Sequence, residues 1–225
     1  MTQLRPNESR ADAAKTLMKA TLFIYITFSL LNIFYVRFAM SALSGNVMPY
    51  NIVNLMDTFS EFIGVVNMIV FTLSAVTFIQ WFRRAYFNLH LLNISWLRWK
   101  EGWAAGAWFI PIMNLYVPYQ IMKDIWTATL HKIKKKQEDF EFSSNIIGWW
   151  WAAFMGSNII SNINTQLTLR GYGDNPEGFL VLQYTDLLSN LIAIAGAILT
   201  IKMINRYSQM ERMMHEMIES ETEEL

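Results

Sequence analysis

Six side chains able to hold an anion fall within about forty residues: Arg84, Asn88, Asn114, Tyr119, Gln120 and Lys123. Guanidinium and ammonium groups beside amide and phenol donors can grip a phosphate or carboxylate, and a helix restarting after Pro118 would add free N–H groups. The competing use of the same residues is structural. Arg84 and Lys123 would then reach out to lipid phosphates, while Asn114 and Gln120 satisfy a broken backbone. Other chemistries lack their residues. There is no cysteine, which removes disulfides, thiolate nucleophiles and thiolate-bound metals, and His90, His131 and His215 stand far apart without ligand spacing. No nucleophile with a base and no paired carboxylates recur at helical spacing inside an apolar stretch. The expectation is therefore a binding site without metal or cofactor, and no catalytic residue.

Composition says what must position these groups. Of 225 residues, 53 % are hydrophobic and only 16 % charged, which points to an integral membrane protein rather than a water-soluble domain. A formal net charge of zero argues against nucleic acid as a partner. Four stretches, 17–42, 62–82, 143–169 and 179–201, each supply the roughly 20 apolar residues that a helix needs to cross hydrocarbon. The first could be read as a cleaved leader because of Ala39 and Ser41, but its apolar part is too long and the polar segment before it mixes acids with bases. A retained span is expected. With one strong turn signal, GYGDNPEG at 171–178, and no repeat, residues 1–225 read as a single membrane domain.

The run GWAAGAWFIPIMNLYVPYQIM, 102–122, is also apolar enough to cross, yet it holds Pro111, Pro118 and Asn114. Charge segregation decides between topologies, because short cytoplasmic loops collect Lys and Arg. If the run turns back on itself, sixteen of the eighteen basic residues fall on one side and only Arg37 and Arg170 on the other; if it crosses, the split is nine to nine. A re-entrant or interfacial element is expected, entering and leaving on the cytoplasmic side, with a kinked fifth span as the alternative. Residues 83–100 read as an interfacial helix, with Ala85, Leu89, Leu92, Trp96 and Trp99 on one face. Trp81, Trp96, Trp99, Trp103 and Trp108 flank the broken run as indoles at headgroup level would. Residues 202–225 read as a cytoplasmic tail helix, whose Met203, Tyr207, Met210, Met214 and Met217 form an apolar seam. That seam can meet a second copy or pack on Ile125, Trp126 and Ile133; two heptads are short for self-association, which favours the internal contact.

The wording of this region, RAYFNL followed by GWAAGAWFIPIMNLYVPYQIMKDIW and the tryptophans Trp149–Trp151, resembles the bacterial membrane family catalogued as domain of unknown function 4328. The matching positions include Arg84, Tyr86, Asn88, Trp103, Pro111, Asn114, Pro118, Tyr119, Gln120, Lys123 and Trp126. The resemblance implies a multi-helix protein of the bacterial inner membrane and supplies no activity. These positions, with Trp108, are the candidate ligand-binding residues.

Two further patterns lie inside the spans. Asn158, Ser161, Asn162 and Thr165 share one face of the third span, and Gln183, Asp186 and Asn190 one face of the fourth; such stripes serve as interhelical hydrogen bonds or line a hydrated path. Arg37 and Asp186 fall at similar depth, so an intramembrane ion pair is expected, with an amide partner for Asp186 as the alternative. The leading expectation is an all-α, four-span, non-enzymatic protein with both termini cytoplasmic that binds a lipid headgroup, small ligand or partner protein at the broken helix. Membrane lipids are the first partners expected, with a second copy or another membrane protein next. A channel or transporter component is the alternative, and a lipid-modifying enzyme a second one.

Overall fold

A computed structural model describes residues 4–46, 49–134 and 143–223. Lys135 and Lys136, on which part of the charge segregation rests, lie outside the described residues. The described chain is all-helical, without strand: α1 Glu8–Leu43, α2 Tyr50–Leu91, α3 Trp103–Gly106, α4 Pro111–Asn114, α5 Val117–Lys134, α6 Asn145–Leu169 and α7 Pro176–Glu223. Three of these, α1, α2 and α7, are long and apolar enough to cross a membrane. At 1.5 Å per residue the 42 residues of α2 reach about 63 Å, roughly twice the thickness of the hydrocarbon layer. The remaining expected span, 143–169, is helical over 25 residues as α6, with amide and hydroxyl side chains packed more densely along it than along the other three helices.

Local chemistry places the helix ends. Gly171 closes α6 with φ of +79°, a conformation that favours glycine, and Asn175 Oδ1 accepts from the Gly178 N–H at 2.8 Å to cap α7, with Pro176 as its first residue. A Cβ on Gly178 would fall 2.1 Å from the Tyr172 carbonyl oxygen, so this turn requires glycine there. The turn expected at 171–178 is thus present. The helix expected to begin at 83 is instead the last part of α2, which runs unbroken to Leu91 and ends before Asn93 at φ of +51°. Leu92–Lys100 is an irregular connector, so Trp96 and Trp99 do not continue the helical face of Ala85 and Leu89. Nothing in 83–91 breaks a helix: the segment has neither Pro nor Gly, and Ala85, Tyr86 and Leu89 are wholly buried.

The chain packs as two compact units, each assembled from separate stretches. The first comprises Met1–Met18, Leu73–Trp151 and Leu199–Leu225. Its core joins Trp81, Phe82, Tyr86 and Leu89 of α2 to Ile121, Met122, Ile125, Trp126 and Ile133 of α5 and to Met203, Tyr207, Met210 and Met214 of α7. Each such side chain contributes on the order of 1.5–3 kcal/mol by leaving water. The tail continues the last long helix, and its apolar seam is buried within the chain together with Ile125, Trp126 and Ile133. Phe78 sits among aromatic rings, with centroids of Trp81, Phe82, Trp108 and Trp150 between 5.4 and 6.0 Å away.

The second unit comprises Lys19–Thr72 and Ala152–Ile198. Its helices pack closely where side chains are small: a Cβ on Gly196 would meet that of Ala153 at 3.5 Å. Along α2, Leu55, Phe59, Phe62, Val65, Met68, Ile69 and Phe71 are exposed, an apolar surface suited to acyl chains and not to water.

Candidate functional site

The broken run is a succession of short pieces in the first unit. α3 and a 3-10 turn over Ala107–Phe109 end at Ile110, which is extended (φ −106°, ψ 114°) as the residue before a proline prefers, and Pro111 then starts α4. Pro118 lies in the first turn of α5, where a missing N–H is harmless, and is buried. Between the breaks, Phe109 is 77 % and Ile112 73 % exposed, and Ile110, Leu115 and Tyr116 are exposed beside them. The Asn114 Oδ1 is buried here without a hydrogen-bond partner. Trp103 packs edge-on against Trp99, Trp108 meets Phe78, Phe82 and Trp151, and Tyr119 lies against Trp151. Lys123 is exposed, its Nζ 5.9 Å from the centre of the Tyr119 ring, whereas Trp126 is buried in the core.

Several candidate residues hold the connector. Asp124, 1 % exposed, accepts from the Arg98 guanidinium at 2.7 and 2.9 Å and from the Arg98 backbone N–H at 3.2 Å. The Tyr86 hydroxyl donates to the Trp99 carbonyl at 2.9 Å and accepts from the Trp99 N–H, and Gln120 accepts from the Trp99 indole at 2.9 Å. Burial pushes the Tyr86 hydroxyl up to about 12. An irregular segment has no internal ladder for its backbone groups, so side chains must satisfy them.

Asn88 has a third task. Its Oδ1 accepts from the Arg5 N–H at 3.1 Å and its Nδ2 donates to the Arg5 carbonyl at 2.9 Å and to Glu211 at 3.2 Å. Asn7 Nδ2 donates to both Glu211 oxygens, at 3.2 and 3.3 Å, and to the Trp81 carbonyl at 3.4 Å. Glu211 is only 5 % exposed, and burial pushes its carboxyl up to about 7, although the two amides and the field of Arg84 act the other way. The Tyr207 hydroxyl lies beside Glu211 and Thr129 without meeting either at full hydrogen-bond geometry. Arg84 is half-buried against Phe87. Burial, then the neighbouring Arg10, Arg5 and Arg83, push its guanidinium below the ordinary value.

In the second unit Asp186 and Arg37 do not pair. The Asp186 carboxylate accepts from Asn164 Nδ2, which also donates to the Leu182 carbonyl at 3.2 Å, and Arg37 is exposed with no ion pair among the described residues. An amide partner avoids bringing two charges into an apolar layer. Asn32 joins the fourth-span stripe: its Oδ1 accepts from Asn190 Nδ2 and its Nδ2 donates to Gln183 Oε1, both at 2.9 Å. Asn158 and Asn162 donate to carbonyls of their own helix.

Arg5, Asn7, Asp124, Asn164 and Glu211 take part in these networks although none of them is a candidate site residue by sequence pattern. Glu211 had a usable signal, an acid directly after Met210 in an otherwise apolar seam. Asp124 likewise stands between apolar α5 positions. Asn7 had none, since its partner lies 204 residues away.

No curated protein and no solved structure matches this chain. The sequence profile of the family described as "Domain of unknown function (DUF4328)" matches residues 44–209, from the turn after α1 to the buried tail of α7 and including every part of the broken run; the chain belongs to that family.

Proposed function

We propose that this chain is a non-enzymatic protein of the bacterial inner membrane, with four spans, cytoplasmic termini and a re-entrant element at 102–122, that holds a lipid headgroup beside that element. The observation that carries the reading is the exposed apolar tip of the broken run: Phe109, Ile110, Ile112, Leu115 and Tyr116 face outward from a segment whose flanking tryptophans are half-buried. Such a tip is unfavourable in water and favourable among acyl chains, and the indoles beside it suit the headgroup layer. The non-enzymatic part is supported by the use made of Asp124 and Glu211, both buried and both occupied by Arg98 or by amides. The channel reading loses support where Asn32 takes up Gln183 and Asn190. A nitroxide on Ile112→Cys in the otherwise cysteine-free chain tests the depth of the tip. Faster relaxation by dissolved oxygen than by an aqueous nickel chelate is expected, and the reverse would overturn the reading.

A further inference from the structure

Arg5 and Arg84 come from distant parts of the sequence and lie against one ring: their guanidinium carbons are 4.7 and 5.9 Å from the centre of Phe87. Arg5 is not on a loose end. Both its backbone groups are bonded to the Asn88 side chain, and Asn7 two residues later is bonded to Trp81 and Glu211. Arg10, in the first turns of α1, lies near enough that its like charge acts on Arg84.

The other arginines nearby have partners. Arg83 pairs with Glu101 at 2.7 Å, Arg98 with Asp124 at 2.7 Å, and Arg212 with Glu8 at 3.6 Å. Arg5, Arg10 and Arg84 form no ion pair among the described residues. The nearest acid, Glu211, is buried with its oxygens occupied by Asn7 and Asn88. Arg5 is held against Phe87 by its backbone bonds to Asn88, and its charge, with those of Arg84 and Arg10, lies beside no acid but the buried, amide-occupied Glu211; the guanidinium groups repel one another until a multivalent anion joins them.

We propose that Arg5 and Arg84, with the charge of Arg10 added to theirs, form a phosphate-binding site beside Phe87, completed by the N-terminal segment. The planar forks suit the oxygens of a phosphate ester, and the source of that ester is an anionic lipid headgroup or a free phosphate compound. Only the lipid source rests on the membrane function proposed above; the site itself stands on the arginine geometry.

The test uses the full chain in zwitterionic detergent micelles, followed by tryptophan-monitored unfolding and native mass spectrometry. Phosphatidylglycerol is titrated in one arm and pyrophosphate in the other, at low and at moderate salt. A rise in unfolding temperature with phosphatidylglycerol alone assigns a lipid headgroup; a rise with pyrophosphate assigns a free phosphate compound. In either case Arg5→Ala with Arg84→Ala should weaken the apparent affinity at least about tenfold, and Arg83→Ala, which removes a paired arginine, should leave it within about twofold. Should the alanine pair fail to fold, Arg84→Lys and Arg10→Gln carry the same comparison singly. No response to either probe, or equal responses in wild type and the arginine variants, overturns the site. That failure would leave the depth of Ile112 untouched, so the two proposals fail separately.

Discussion

Replacing Glu211 by Gln should remove a pH dependence from the stability of this protein. Glu211 has an ordinary value of 4.5 that burial raises to about 7 in the folded chain. Between those values the folded state holds a proton that the unfolded state releases, so stability is full below about 4.5 and declines as pH rises through 7. The gap corresponds to roughly 3 kcal/mol at pH 8. Because Glu211 is 5 % exposed, little of this is screened by solvent. For a chain of this length, such a change moves the unfolding midpoint by about 6–12 °C. Gln imitates the protonated acid: one oxygen still accepts from Asn7 and Asn88, and its amide can donate to the otherwise unmatched Tyr207 hydroxyl. His215 works in the opposite direction, since burial lowers its value and its contribution is lost as pH falls; comparing wild type with Glu211→Gln cancels that term. Tryptophan fluorescence against temperature in detergent, from pH 5 to pH 8, is the assay. The wild type should lose stability relative to the variant with rising pH. Parallel curves for the two proteins, or a wild type that gains on the variant, would refute the reasoning.

Asp124→Ala should cost about 1.5–3 kcal/mol, less than a stranded buried charge would, because the Arg98 side chain is 47 % exposed and can return to water; urea unfolding measures it. Met210→Ala and Met214→Ala should each cost about 2–5 kcal/mol while leaving oligomeric size unchanged in light scattering, since both side chains are buried within the chain; dissociation of an oligomer would show that the seam joins copies. A double-mutant cycle between Asn164→Leu and Asp186→Leu should give a coupling of about 1 kcal/mol, and the cycle between Arg37→Leu and Asp186→Leu a coupling near zero; the opposite ranking would restore the ion pair.

Features that depend on neighbours along the chain could be read from the residues alone. Apolar runs longer than a hydrocarbon layer give α1, α2 and α7, Pro111 breaks the run at Ile110, glycine and a capping asparagine build the 171–178 turn, and the methionine seam continues α7 into the tail. Periodicity also marked the seam as a buried face. It could not say which polar group meets which. Residues two apart on a helix point about 200° away from each other, so whether α6 offers Asn162 or Asn164 to Asp186 depends on how the helix is rotated in its packing. Tyr86, Asn88 and Gln120 had the composition of a ligand site, yet an irregular connector and the first residues of the chain needed hydrogen-bond partners, and packing brought those backbones to them. Asn7 reaches Glu211 across 204 residues, a distance over which local pattern carries no information. Only the tertiary structure could put Arg5 beside Arg84 on one phenyl ring, because burial of the intervening apolar helices, and not any property of the arginines, decides where their charges are left.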